Sequence, residues 1–419
     1  MSFRSFLNDR VTLHAGDCRE VLATLPEASV DSVVCDPPYH LTSIVKRFGG
    51  ENAAPAKVGK TGAYARASAG FMGKQWDGGD VAFQLETWAD VLRVLKPGGY
   101  LLAFASTRGF GRMSVAIEDA GFITHPFVAW IFATGFPKAT RVDAEGYEGF
   151  RYGGQALKPA IEPIYMGQKP FEKGLTGTEN VLRWGTGALN IAACRVGADA
   201  ISTHSRGSNG AFPKRPTETS AEESGRKQDQ RAGLDHSDRI GRWPANLVLS
   251  DDPEVMEAFP AEAGGYDKRV GMEPGTRPGG FGNVGHEKGA DKPNGALYGD
   301  SGSAARFFYT SKADQDDRLG SKHPTVKPLD LMQWLVRLVT PRGGTCLDPF
   351  AGTGTTGEAA WREGMRAILI EREPEYIADI ERRMDLAANP TKRQAVAKTK
   401  NQLDDPNELP LFKTESAAS

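Results

Sequence analysis

Asp36-Pro-Pro-Tyr39 is the segment of this chain whose residue types do most to specify a chemistry. It follows Asp31-Ser-Val-Val-Cys35, which reads as a buried strand. A carboxylate at the C-terminal end of such a strand lies where open α/β sheets keep their sites. Pro37 and Pro38 fix the backbone and remove two N–H donors. What remains is a cluster of acceptors beside the flat face of Tyr39. Such a cluster suits an aromatic ring that carries an exocyclic amine with two N–H donors. That amine is a poor nucleophile, because its lone pair is delocalised into the ring. Accepting its N–H bonds draws the lone pair out toward a methyl donor and stabilises the positive charge that emerges. The plainer alternative is a turn after a strand, with Asp36 as a cap.

A second constellation is Leu347-Asp348-Pro-Phe350-Ala-Gly352-Thr-Gly354-Thr355-Thr356, which reads as a strand, a glycine-rich loop and a helix start. Gly352 and Gly354 allow the backbone to approach a ligand closely. The loop lacks the Lys of a phosphate-binding P-loop. Glu371 ends the next strand, where a carboxylate can bind ribose hydroxyls. Together they suggest a ligand with an adenosine half; the alternative is an ordinary βαβ turn and a surface glutamate. Gly16-Asp17 follows a third strand and serves as a helix N-cap, a site residue or both. His323-Pro-Thr-Val-Lys327-Pro328 is a proline-rich turn before the helix that leads to the glycine loop.

These residues need a scaffold of alternating strands and helices. Residues 11–14, 30–35, 100–105 and 127–132 read as strands; 17–25, 81–95 and 109–120 read as amphipathic helices. Lys96-Pro-Gly-Gly99 is a turn. The theme resumes with a helix at 329–339, a strand at 345–348, a helix at 355–363, a strand at 367–371 and a helix from Pro374 to about 384. Such alternation predicts an α/β fold with a parallel sheet covered by helices. Residues 175–317 are rich in Gly, Ser, Pro, Asn and charge, and 206–238 and 264–302 look loop-like. Apolar islands at 243–249 and 306–309 suggest that this region still docks on the main domain.

The composition, 39% hydrophobic and 25% charged over 419 residues, is that of a globular protein. No apolar run approaches a membrane span and no secretory signal opens the chain, so the cytosol is the expected location. A net charge of −2 argues against a protein that coats nucleic acid, though a local basic face can still bind it. Cys18, Cys35, Cys194 and Cys346 are far apart, and no H-E-x-x-H occurs. Neither a zinc site nor a disulfide framework is indicated, so an organic cofactor is expected and no metal.

In this order and spacing, D-P-P-Y, H-P-T-x-K-P and F-x-G-x-G resemble the amino-methyltransferases of DNA in their permuted β-class arrangement. The resemblance covers residues 11–169 and 306–384. It implies the seven-stranded methyltransferase sheet with helices on both faces, a circularly permuted motif order and S-adenosyl-L-methionine as cofactor. The catalytic motif would be Asp36, Pro37, Pro38 and Tyr39. Asp17, Asp36, Lys327, Asp348, Phe350, Gly352, Gly354, Thr355 and Glu371 would border the cofactor, with Asp17 at its adenine, Glu371 at its ribose and Lys327 near its methionine end. The target base would be flipped from the duplex. Within the family Asp at the first motif position goes mainly with adenine N6 and Ser mainly with cytosine N4. Asp36 therefore favours adenine, with cytosine N4, an RNA substrate or a non-catalytic DNA-binding module as alternatives.

The implied organisation is an N-terminal part of the methyltransferase domain (1–174), a target-recognition insertion (175–305), a C-terminal part (306–388) and a polar tail (389–419). The insertion offers Arg183, Arg206, Lys214, Arg215, Arg226, Lys227, Arg231, Arg239 and Arg242 to phosphates or guanines, with acidic residues interleaved. Lys46, Arg47, Lys57, Lys60 and Arg66 lie in a Gly/Ala-rich stretch expected to close over the base or the DNA. The tail's Glu408-Leu-Pro-Leu-Phe412 is similar to the Q-L-x-L-F peptides that dock on the bacterial sliding clamp. Expected partners are thus double-stranded DNA, the clamp through Glu408–Phe412 and a second copy of the chain as a homodimer, with no membrane.

Overall fold

The computed structural model describes residues 2–39, 80–133, 135, 137–201, 239–261, 303–311, 315–321, 323 and 325–393. The stretch with Lys46 to Arg66, the clamp-like Glu408–Phe412 and the insertion's basic residues from Arg206 to Arg231 lie outside them. In chain order the strands are β1 (Ser2–Phe6), β2 (Val11–Ala15), β3 (Val30–Cys35), β4 (Leu95–Phe104), β5 (Ile123–Ile131), β6 (Lys138–Arg141), β7 (Arg151–Gln155), β8 (Ile161–Gln168), β9 (Val196–Ile201), β10 (Arg239–Arg242), β11 (Leu247–Ser250), β12 (Tyr309–Ser311), β13 (Thr345–Asp348) and β14 (Arg366–Glu371). The helices are α1 (Cys18–Thr24), α2 (Leu85–Val94), α3 (Phe110–Asp119), α4 (Gly177–Trp184), α5 (Pro253–Glu257), α6 (Leu329–Val339), α7 (Thr355–Arg362) and α8 (Pro374–Ala388).

The strands form a ten-stranded sheet in the order β1-β2-β14-β13-β3-β4-β8-β5-β11-β12. The expected seven-stranded sheet is its middle, from β2 to β5, and β1, β11 and β12 extend the edges. Strands β1 and β8 run against their neighbours and the rest are parallel. Strands β13 and β14 lie between β2 and β3, so the C-terminal part of the chain completes the sheet of the N-terminal part. The apolar islands of the middle region supply β11 and β12; β9 and β10 form a separate ribbon.

Both faces of the central strands are covered, which is why they read as continuous apolar runs. Tyr100, Leu102 and Phe104 of β4 join the cluster built by α6, α7 and α8. Leu101 and Ala103 point the other way and pack with α1, α2 and α3. Helix α6 is apolar on most sides and correspondingly buried, from Leu329 to Val339. The helix expected over 81–95 is divided: Val81–Phe83 is a 3-10 turn, Gln84 is extended, and α2 follows. No helix among the described residues is long and apolar enough to cross a membrane.

Two buried polar clusters lock the interleaved halves. At the N-terminal edge of the parallel strands, the Asp31 carboxylate accepts from Lys96 Nζ at 2.6 Å and from the Thr345 N–H at 2.7 Å. Beside α7, fully buried Glu358 pairs with Arg383 at 2.9 Å, and Arg383 Nε donates to the Thr353 carbonyl at 2.8 Å. The glycine-rich loop is thereby tied to α8. Residues expected to open the polar tail are also held, since Arg393 pairs with Asp317 at 3.7 Å and also with Glu358. Removing one partner of a buried ion pair leaves the other uncompensated. Arg383→Met is therefore expected to cost about 3 kcal/mol or more, read as a lower urea midpoint at unchanged slope.

Candidate active site

The C-terminal ends of neighbouring strands deliver carboxylates to one edge of the sheet. Asp36 follows β3, Asp348 ends β13 and Glu371 ends β14, and these strands are adjacent. The reversed strand β8 adds a fourth. Its residue Ile164 lies beside Phe104 at the end of β4, so the start of β8, with Glu162, reaches the same edge. A cavity of about 1230 Å³ opens there. Its walls include Asp17, Asp36, Pro37, Pro38, Tyr39, Lys327, Asp348, Phe350, Gly352, Thr355 and Glu371, all singled out from sequence.

Gly354 is the exception. It has φ +77°, and a Cβ there would lie 3.0 Å from Ile380 of α8. Its lack of a side chain serves helix packing under the loop, and it is not among the cavity walls. Gly352, with φ +51°, does face the cavity, and a Cβ would come within 3.4 Å of His323 Nε2. Its N–H donates to Glu371 Oε2 at 2.8 Å, while the N–H groups of Arg372 and Glu373 both reach Oε1 at 2.9 Å. Glu371 thus anchors the loop and keeps acceptor capacity on Oε2. Asp17 caps α1, accepting from the Arg19 N–H at 3.0 Å. Burial opposes ionisation of Asp17, but hydrogen bonds from Arg19 and its charge outweigh this and hold the carboxyl below its ordinary value. Phe350 sets its ring edge-on to Trp88, with centroids 6.4 Å apart.

Lys327, on the proline-rich turn before α6, reaches into the Asp36 cluster. Its Nζ lies 2.8 Å from Asp36 Oδ2 and 3.2 Å from Glu162 Oε2, and it donates to the Tyr39 hydroxyl at 3.1 Å. Tyr39 donates to Glu162 Oε1 at 2.6 Å. Burial disfavours charge on Lys327, yet Asp36 and Glu162 together hold its ammonium above the usual value. Burial, then the charges of Asp36 and Glu162, push the Tyr39 phenol well above its ordinary range, so it stays a neutral donor. Glu162 is raised by burial, an effect that Lys327 partly offsets. Asp36 Oδ1 is buried and has no hydrogen-bond partner among the described residues.

His323 is lowered by burial and is a neutral imidazole; Nδ1 accepts from the Thr325 N–H at 3.3 Å. Asp348 accepts from Thr356 Oγ1 at 2.6 Å and from the Phe350 N–H at 3.0 Å. Burial raises its carboxyl to about 7, with further contributions from Asp36 and Glu371. The cavity is therefore rich in acceptors, a setting for a cationic ligand and for N–H donors.

Glu162 carries no motif. It sits in Ile161-Glu-Pro-Ile-Tyr-Met-Gly-Gln168, a strand that the reading along the chain did not single out. Its one available signal is a charged residue at the edge of an apolar run.

The fold and its acceptor-lined edge define an α/β protein with a glycine-loop pocket beside a cluster of carboxylates. The chain matches the family profile of N6/N4 DNA methylases over residues 30–382 and belongs to that family. The type II methyltransferase M2.DpnII of Streptococcus pneumoniae is 41% identical over 69 residues, 16% of this chain and 26% of that protein. The DNA adenine methyltransferase YhdJ of Escherichia coli is 42% identical over 67 residues, 16% of this chain and 23% of that protein. The chain thus spans about a quarter of the length of these curated relatives. Among solved structures, the cytosine-N4-specific PvuII DNA methyltransferase superposes with a TM-score of 0.44 at 14% identity, over 96% of each chain.

Asp348 generates a pH prediction. The folded protein holds its proton up to about pH 7, whereas the ordinary value is 3.8. Folding stability contributed by this carboxyl is thus greatest below about pH 4 and is lost as pH rises to about 7. Urea unfolding from pH 5 to 8 should show a smaller decline for Asp348→Asn than for the wild type.

Proposed function

We propose that this protein transfers a methyl group from S-adenosylmethionine to the exocyclic N6 amine of a flipped adenine in double-stranded DNA. The observation that carries the reading is Asp36 Oδ1, a buried acceptor without a partner among the described residues, at the start of a D-P-P-Y segment. A carboxylate oxygen so placed fits an N–H donor brought by a ligand.

The residues present fit the cofactor. Gly352 lets the loop backbone approach a ligand, Glu371 keeps acceptor capacity for ribose hydroxyls, and Asp17 and Phe350 border the remainder of the cavity. The surrounding carboxylates suit a ligand with a sulfonium and an ammonium charge. When bound, the cofactor supplies an electrophilic methyl group. The chain's own residues then do three things. Asp36 Oδ1 and nearby backbone carbonyls accept the amine's hydrogens, which turns the nitrogen lone pair out of the ring's conjugation. Tyr39 offers a face on which the flipped base stacks. Asp36 takes the proton that the methylated nitrogen must lose, stabilising the charge as it forms.

The choice of adenine rests on Asp at the head of the motif. Purified protein incubated with unmethylated DNA and labelled S-adenosylmethionine should yield labelled N6-methyladenine after digestion to nucleosides. Labelled N4-methylcytosine would keep the mechanism and reverse the base; no label with cofactor bound would overturn the reading. Asp36→Ala is expected to abolish labelling while cofactor affinity stays within a few-fold, as its task lies with the base. For the tail, we propose that Glu408–Phe412 addresses the sliding clamp; clamp retention that survives deletion of residues 405–419 would remove that proposal.

A further inference from the structure

Strand β8 brings to the cavity a carboxylate that no motif announces, and its contacts have a definite consequence for Asp36. We propose that Glu162 is the positioning residue for base methylation, acting through Lys327 and Tyr39 to hold both the amine acceptor and the stacking face in place. This inference rests on the methyltransfer reading above.

Lys327 stands between two carboxylates, 2.8 Å from Asp36 and 3.2 Å from Glu162. Its side chain and that of Glu162 are 8% and 15% exposed, so water screens the trio weakly. With Asp36 Oδ2 engaged by Lys327, the carboxyl plane is fixed and Oδ1 is the oxygen left for the substrate. Glu162 shares the ammonium's charge. Without that sharing, Lys327 would hold Asp36 as a one-to-one pair, and the Asp36 oxygens would be weaker acceptors toward the amine. Glu162 also accepts from the Tyr39 hydroxyl at 2.6 Å, which sets the orientation of the ring. The Lys327 ammonium lies 5.4 Å from the centre of that ring and 4.7 Å from that of the core residue Phe104, so the same cation is seated between the two rings. Glu162 thus touches neither of the groups the reaction joins, yet fixes the two that receive the base.

The titratable groups facing Glu162 are Lys327, Asp36 and Tyr39. Protonating Glu162 does to the trio what replacing it by Gln does: shape is kept and the negative charge is lost. Activity that depends on this charge therefore falls as pH drops through the titration of Glu162.

The test is steady-state kinetics of Glu162→Gln and Glu162→Asp on duplex DNA, with wild type alongside. Glu162→Gln should lower kcat by at least tenfold, leave cofactor affinity within threefold, and lose the acidic limb that wild type shows in its kcat–pH profile. Glu162→Asp, which restores the charge on a shorter stem, should recover part of kcat and the limb. Wild-type kcat and an unchanged limb in Glu162→Gln would overturn the proposal. So would parallel loss of kcat and of cofactor binding in both variants, the mark of a purely structural role. A wild type that binds cofactor and labels no DNA would instead sink the methyltransfer reading itself.

Discussion

One ammonium group, that of Lys327, holds the site together. Burying a lysine charge is costly unless it is paired and hydrogen-bonded. Here it is compensated by Asp36 and Glu162, with the Tyr39 hydroxyl as a third partner. Those partners come from the D-P-P-Y segment after β3 and from the start of β8, and the lysine itself from the turn that opens α6. Three separate stretches of chain are thus required to meet at one cation. The arrangement also distinguishes the two oxygens: among the described residues Asp36 Oδ2 is engaged and Oδ1 is not.

Around that cation the site is built for acceptors. Asp348 and Glu371 lie at the ends of the two strands beyond β3, and both bind backbone N–H groups of the segments that follow them, with Glu371 also accepting from Gly352 of the loop after β13. Each therefore shapes its loop as well as facing the cavity. The loop is held from behind by Arg383, which joins the Thr353 carbonyl to buried Glu358. A loop that lines the cavity is thereby held in place without a ligand, which would lower the ordering cost of binding one.

Much of this was legible in the sequence. Strand–helix alternation predicted the α/β sheet, and α6 and β13 fall on the expected residues because their apolar patterns are unambiguous. Asp36, Asp348, Phe350, Gly352 and Glu371 converge on one cavity because the ends of parallel strands necessarily share an edge. Glu162 was hidden by the same rule. It lies at the beginning of a strand, and only because β8 runs in reverse does that beginning meet the other strands' ends. Pro163 further disguises a central strand, since proline cannot donate to a ladder. Gly354, a glycine inside a binding-loop pattern, has a second reason to lack a side chain that only packing reveals: it makes room for α8. Lys327 could be placed near the site, but only tertiary packing reveals which carboxylates it joins.

The interleaving of the sheet has a consequence for biosynthesis. Strands β2 and β3 are close in sequence, yet the space between them is two strands wide until β13 and β14 emerge from the ribosome. The Asp31–Thr345 hydrogen bond that closes this space joins residues 314 positions apart. At roughly 5–20 residues per second, translation takes on the order of tens of seconds to cover that distance. Through that interval the nascent N-terminal strands have unsatisfied ladder groups and uncovered apolar faces, the features that expose a folding chain to aggregation. The mouth of the cavity, with β3 and β13 as neighbours in its floor, is among the last parts of the protein that can form.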